Sequence, residues 1–224
     1  MRTAFWFLLG AALVVGCAAE DEQPARVAAD SGETASAAPI VLFLGTSLTA
    51  GLGLSPEEAY PALIERKIDS ADYAFRVVNA GVSGETVAGG LRRVEWLLRQ
   101  PIGVLVLELG ANDALRGQDL AATRRNLQEI ITRTREVRPA AAIVIAGMEA
   151  PPNMGGAYTG EFRRMFTELA AANDAALIPF LLEGVGGIPE LNQADGIHPT
   201  AKGHEIMADH VWQVLEPILR ERTR

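Results

Sequence analysis

Five short, largely apolar runs punctuate this chain, and they constrain its fold more than any other feature. They are Pro39 to Leu44, Arg76 to Ala80, Val104 to Leu109, Ala142 to Ala146 and Ala176 to Pro179. A run of this length without polar alternation reads as a strand buried on both faces. The intervening segments carry helical spacing instead: Leu120, Leu127, Ile130, Ile131, Thr134 and Val137 share one face, as do Ile206, Met207, Val211, Val214, Leu215 and Ile218. Ser55-Pro56-Glu57-Glu58 has the form of a helix start, although Pro61 places the main helix body later. Strands alternating with helices predict an α/β fold, a three-layer α/β/α sandwich around a five-stranded parallel sheet. In such sheets ligands bind beyond the carboxyl ends of the strands. Ser47 follows the first run, Gly81 the second and Asn112 the third.

The ends and the charge set the cellular context. Residues 1–16 carry one cation, Arg2, and then an apolar run from Phe5 to Val15 that is too short to span a bilayer as a mature helix, so they read as an export signal. The run ends at Val14-Val15-Gly16-Cys17, which resembles the lipobox of bacterial lipoproteins. That resemblance makes Cys17, the lone cysteine, the lipidated new N-terminus, with Ala18 and Ala19 after it favouring the outer membrane in a cell that has two. Residues 17–38 are small and polar and cannot offset their ordering entropy, so they form a flexible tether. Residues 39–224 suit one domain, with no internal repeat, and a monomer is expected. A net charge of −8 argues against nucleic acid or an anionic lipid surface as partner. Membrane attachment would come from the lipid on Cys17.

Asp195-Gly196-Ile197-His198, set against Gly45-Thr46-Ser47-Leu48, supplies the chemistry. A neutral serine hydroxyl is a poor nucleophile. It needs an imidazole in hydrogen-bond reach, and the imidazole needs an acceptor on its other nitrogen. Asp195, three residues before His198, can meet one ring nitrogen and leave the other facing Ser47. The pattern is that of a serine hydrolase. The bland alternatives are a helix-capping serine, a solvated Asp195/His198 pair at a helix start, a turn role for Asn112 and a purely conformational role for Gly81.

Four blocks in order, Gly45-Thr46-Ser47-Leu48-Thr49-Ala50-Gly51, Asn79-Ala80-Gly81-Val82-Ser83-Gly84, Gly110-Ala111-Asn112-Asp113 and Asp195-Gly196-Ile197-His198-Pro199, resemble those of the SGNH (GDSL) hydrolases. The likeness is greatest to the thioesterase I/lysophospholipase L1/arylesterase branch. The resemblance implies a flavodoxin-like fold, Ser47 as nucleophile, His198 as base and Asp195 as its orienter. It also implies an oxyanion hole built from Gly81 N–H, the Asn112 amide and Ser47 N–H. Thr46 stands where many members have aspartate, which leaves one hydroxyl to hold the serine turn. Asp113 reads as structural, and His204 and His210 as surface or core histidines.

Two rival readings fail. Gly81-Val82-Ser83-Gly84 is partly similar to a nucleophile elbow, but Glu85 stands where that motif needs glycine. A dinucleotide fingerprint after the first strand would need its third glycine at Pro56 and an acid where Asn79 ends the second strand. No cysteine/histidine cluster has metal-ligand spacing, and the expected mechanism uses neither metal nor cofactor. Met148 to Tyr158 is expected to loop over the pocket, with Ala114, Leu115, Met148, Pro151 and Met154 lining an acyl channel. The expected substrate is a small ester, a thioester or a lysophospholipid. Acyl transfer and non-catalytic ligand binding are the alternatives.

Overall fold

A computed structural model describes residues 38–223. The export signal, Cys17 and all of the expected tether except Ala38 lie outside the described residues.

The five apolar runs form five strands: β1 (Ile40–Gly45), β2 (Arg76–Gly81), β3 (Ile102–Glu108), β4 (Ala142–Ala146) and β5 (Ala176–Ile178). They make one parallel sheet in the order β2-β1-β3-β4-β5. β1 is buried along its whole length and β3 nearly so, because helices cover both faces. Each fully buried aliphatic side chain there contributes about 1.5–3 kcal/mol. β2 departs from the sequence reading. It is one of the two edge strands, with Arg76 and Asn79 exposed, and at the other edge Ala176 and Leu177 of β5 are only partly buried. Val77, Val78 and Ala80 are therefore only partly buried, beside β1 and against the helix α2 (Tyr60–Ser70).

α2 packs against the C-terminal helix α7 (Ala201–Arg222), while α3 (Val87–Leu97), α5 (Leu120–Val137) and α6 (Gly156–Ala172) pack in series with one another. α5 buries Leu120, Leu127, Ile130, Ile131 and Thr134, as the spacing predicts, and Asp119 caps it by accepting from Ala121 N and Ala122 N. Val137 ends the helix and is exposed, off the expected face. In α7, Met207, Val211 and Leu215 are buried, whereas Ile206, Val214 and Ile218 flank that stripe and are only partly covered. Both helix-start signals near residue 56 are used: Pro56–Glu58 form one 3-10 turn, and α2 begins at Tyr60 with Pro61 in its first turn.

The chain leaves β1 for β2 on one side and later returns to β3 on the other. That reversal opens a crevice at the carboxyl ends of β1 and β3. Two short helices start there, α1 (Ser47–Ala50) and α4 (Ala111–Leu115).

Candidate active site

Ser47 opens α1, one residue beyond the strand–helix junction. Gly45 permits the junction: a Cβ there would lie 2.0 Å from Thr49 Oγ1 and 2.6 Å from Glu108 Oε2. Thr46 caps α1, its Oγ1 accepting from Leu48 N at 3.4 Å. The turn is also held from beneath by Glu108, the last residue of β3, which is fully buried. Thr46 N–H donates to Glu108 Oε2 at 2.8 Å and Thr46 Oγ1 donates to Oε1 at 3.0 Å. Thr49 Oγ1 donates to Oε2 at 2.8 Å and lies 2.7 Å from the Tyr60 hydroxyl. Burial pushes the Glu108 carboxyl up to about 7, against the pull of these bonds.

His198 Nε2 lies 2.9 Å from Ser47 Oγ, and its Nδ1 lies 2.6 Å from Asp195 Oδ2. Asp195 Oδ1 accepts the backbone N–H of Ile197 at 2.9 Å and of His198 at 3.0 Å. Gly196, with φ +69°, allows the turn that folds the carboxylate back over its own chain. The backbone N–H of His198, then its ring, hold the Asp195 carboxyl well below the usual carboxylate range. The expected serine, histidine and aspartate therefore stand in one relay.

The oxyanion side corrects one assignment. Gly81 is part of β2, paired with Gly45, and its N–H donates to Asn79 Oδ1 at 2.9 Å. A Cβ on Gly81 would lie 2.3 Å from Ala50 N, so this glycine serves the close packing of β2 against α1. Gly84, three residues on, stands at the cavity instead. It lines the cavity with φ +78°, and among the described residues its N–H has no hydrogen-bond partner. The Ser47 N–H is likewise free among the described residues. The sequence signal for Gly84 was present in the same block, but the extra residue of β2 that consumes Gly81 was not foreseen.

Asn112, on α4 after the left-handed Gly110, also lines the cavity. One of its amide hydrogens goes to Glu85 O at 3.1 Å, which leaves the other available. Glu85 is in turn clamped by Arg93 of α3, whose Nε lies 2.9 Å from both carboxylate oxygens. Asp113 is buried and accepts from Val87 N at 2.9 Å, a structural role as expected. His204 is a core histidine, its Nδ1 accepting from Tyr60 N at 3.1 Å.

Ser47, Gly84, Asn112 and His198 face a cavity of about 530 Å³. Leu115, Met148 and Pro151 line it as expected. Ala114 does not, because it is fully buried beneath α4. Met154 does not either, since its Cε packs toward Gly117. The expected loop over the pocket is shorter than predicted, because α6 already begins at Gly156 and takes Tyr158 into a helix. The missing wall comes from the segment after β5, through Phe180, Leu182 and Gly186, and from Leu52 and Ile197 at the mouth. No motif marked that segment; its role arises only when β5 brings it beside β4.

Residues 43–206 match the GDSL-like Lipase/Acylhydrolase family. The chain is 40% identical over 185 residues to esterase TesA of Pseudomonas aeruginosa, covering 82% of this chain and 91% of that one. It is 38% identical over 187 residues to thioesterase 1/protease 1/lysophospholipase L1 of Escherichia coli, covering 83% and 87%. The structure of the psychrotrophic esterase EstA from Pseudoalteromonas sp., inhibited by monoethylphosphonate, matches with a TM-score of 0.76 at 31% identity, covering 81% of this chain and 98% of that one.

Proposed function

Because the chain belongs to the GDSL-like lipase/acylhydrolase family and is a carboxylic ester hydrolase of its SGNH type, we propose that it cleaves esters or thioesters through an acyl-enzyme on Ser47. The observation that carries this reading is the relay from Asp195 through His198 to Ser47, at 2.6 and 2.9 Å, opening on an apolar-walled cavity. His198 Nε2 takes the hydroxyl proton as Ser47 Oγ bonds to the carbonyl carbon, and Asp195 stabilises the imidazolium. The new oxyanion is received by the N–H groups of Ser47 and Gly84 and the Asn112 amide. Such donors are worth roughly 3–4 kcal/mol each, because they are fixed before the charge develops. Collapse of the adduct breaks the bond to the leaving alcohol or thiol, which takes its proton from His198. A water then gives a proton to His198 while its oxygen attacks the acyl carbon. The bond to Ser47 breaks, Ser47 regains its proton, and the carboxylic acid leaves.

The substrate pairs an apolar acyl arm with a polar head. Leu52, Leu115 and Ile197 are 44%, 51% and 52% exposed at the mouth, which suits an amphiphilic ester such as a lysophospholipid. Each methylene in such a channel is worth about 1 kcal/mol, so a graded preference across acyl lengths is expected. The export signal at residues 1–16 and a lipid on Cys17 favour envelope or extracellular esters over cytosolic acyl-CoA.

The test uses the full chain and its Ser47→Ala variant with p-nitrophenyl esters of increasing acyl length, together with a p-nitrophenyl phosphonate ester that phosphonylates the nucleophile and releases p-nitrophenolate. Turnover and label should both vanish in Ser47→Ala. Turnover that survives the substitution would overturn the nucleophile assignment. Cys17→Ser should lose labelled palmitate and release activity from the membrane fraction, and an unchanged distribution would remove the lipid anchor.

A further inference from the structure

We propose that Glu108 is a positioning residue for the nucleophile, an ionised carboxylate that clamps the Ser47 turn from beneath. The inference rests on Ser47 as the nucleophile.

Every hydrogen-bond partner of the Glu108 side chain comes from the two residues that bracket Ser47 and Leu48. Thr46 contributes its N–H and its hydroxyl, and Thr49 contributes its hydroxyl. With Glu108 ionised, all three groups donate to it. Leu48 N–H donates to Thr46 Oγ1, so that hydroxyl is free to direct its own proton at Glu108. The Tyr60 hydroxyl, 2.7 Å from Thr49 Oγ1, can do the same for Thr49. Tyr60 is itself fixed edge-on against Phe43 of β1, with centroids 5.5 Å apart. The clamp thus ties α1 to the central strands β1 and β3 at once.

A merely structural reading accounts poorly for this residue. Among the described residues Glu108 has no cationic partner, and a buried carboxylate without one costs several kcal/mol to desolvate. An apolar or amide side chain would fill the space at lower cost. What only a carboxylate supplies is acceptance of three donors at once, because a glutamine would turn its own N–H₂ against one of them. Those bonds hold the chain on both sides of Ser47. They fix the peptide that carries the Ser47 N–H and the approach of Ser47 Oγ to His198 Nε2, at 2.9 Å.

The charged form is required for the clamp. A protonated Glu108 brings a fourth hydrogen into the cluster, and one threonine hydroxyl, buried, loses its acceptor. The titratable group that faces Glu108 is Tyr60, one hydroxyl away, from the start of α2. Burial places the Glu108 titration at about 7, so the clamp is lost progressively as pH falls below neutrality. Protonation of Glu108 then contributes to the acid side of the activity profile.

The experiment compares the full chain with Glu108→Gln and Thr46→Val on a p-nitrophenyl ester across pH 5–9. Glu108→Gln should lower kcat roughly 10- to 100-fold with KM within about two-fold, as a sub-ångström misplacement of a nucleophile does. Its acid limb in log kcat/KM should lose the component that Glu108 contributes and be shallower than the parent's. Thr46→Val should lower kcat by roughly 3- to 10-fold, the effect of one lost hydrogen bond. A Glu108→Gln enzyme with parental kcat and the parental limb overturns the inference. If Glu108→Gln does not fold, Thr46→Val decides by its kcat: a loss at constant KM supports the clamp and a parental value overturns it. Ser47→Ala in the same assay separates the two readings. Turnover retained there removes the nucleophile and the clamp together, whereas turnover lost there with a parental Glu108→Gln removes the clamp alone.

Discussion

At Asp195 one carboxylate does two jobs. Oδ1 gathers the N–H groups of Ile197 and His198, which shapes the turn, and Oδ2 holds the imidazole Nδ1. Because those bonds keep its pKa below the usual range, Asp195 stays ionised through mildly acidic pH, and the acid limb belongs to other groups. Asp195→Asn can preserve the turn through its carbonyl oxygen, but it sets an N–H₂ against Nδ1. The imidazole must then carry its proton on Nε2, where it can no longer accept from Ser47. The expected result is a kcat about 10⁴-fold lower with little change in KM, and steady-state rates within ten-fold of the parent would remove the orienting role. In the proposed mechanism Asn112 acts one step later, on the oxyanion. Asn112→Ala should cost roughly 10²- to 10³-fold in kcat, and it should weaken phosphonate labelling of Ser47 by a similar factor, since that adduct presents the same oxygen.

The block from Asn79 to Gly84, at the end of β2 and beyond it, shows what a sequence block can and cannot carry. Its two glycines look equivalent in the chain, and the structure gives them different tasks. Gly84→Ala places a side chain at φ +78°, where the nearest neighbour to its Cβ is Arg116 at 3.7 Å, so space is available and backbone strain is the cost of about 1–2 kcal/mol. Relief of that strain rotates the peptide that carries the proposed oxyanion donor, so kcat should fall several-fold while Tm drops by only a few degrees. Gly81→Ala instead drives a Cβ to 2.3 Å from Ala50 N, and its first symptom should be a large loss of Tm and soluble yield. Measuring kcat and Tm for both variants checks the division. A silent Gly84→Ala beside a Gly81→Ala that loses kcat alone would return the donor role to Gly81. The strands, the amphipathic helices and the Ser47, Asn112, Asp195 and His198 positions were legible because each rests on a local pattern of apolar period or short motif. Gly84, Phe180, Leu182 and Glu108 were not, because their roles depend on where β2 ends and on which strand ends lie side by side.

Across the whole molecule, two buried titratable groups of opposite sign are joined through one residue. Tyr60 donates its backbone N–H to His204 Nδ1 in α7 and reaches Glu108 through Thr49, and its ring stacks on His204 with centroids 6.1 Å apart. Burial lowers the His204 pKa to about 4 and raises that of Glu108 to about 7. The signs follow from which state holds the proton. As pH falls from about 6.5 to 4, unfolded His204 takes up a proton that the folded chain refuses, so its contribution destabilises on acidification. As pH falls from about 7 to 4.5, folded Glu108 takes up a proton that the unfolded chain still releases, so its contribution stabilises. Each gap corresponds to about 3 kcal/mol, and over the shared window the two oppose one another. Replacing either group should expose the other. Relative to the parent at each pH, Glu108→Gln should lose Tm progressively between pH 7 and pH 5. His204→Gln, whose amide oxygen can still accept the Tyr60 N–H, should gain it over the same interval. Thermal melts of the three full-length proteins at pH 5, 6 and 7 decide the matter: the two differences must slope in opposite directions, and a common slope would mean that Glu108 and His204 do not titrate in the folded chain as their burial requires.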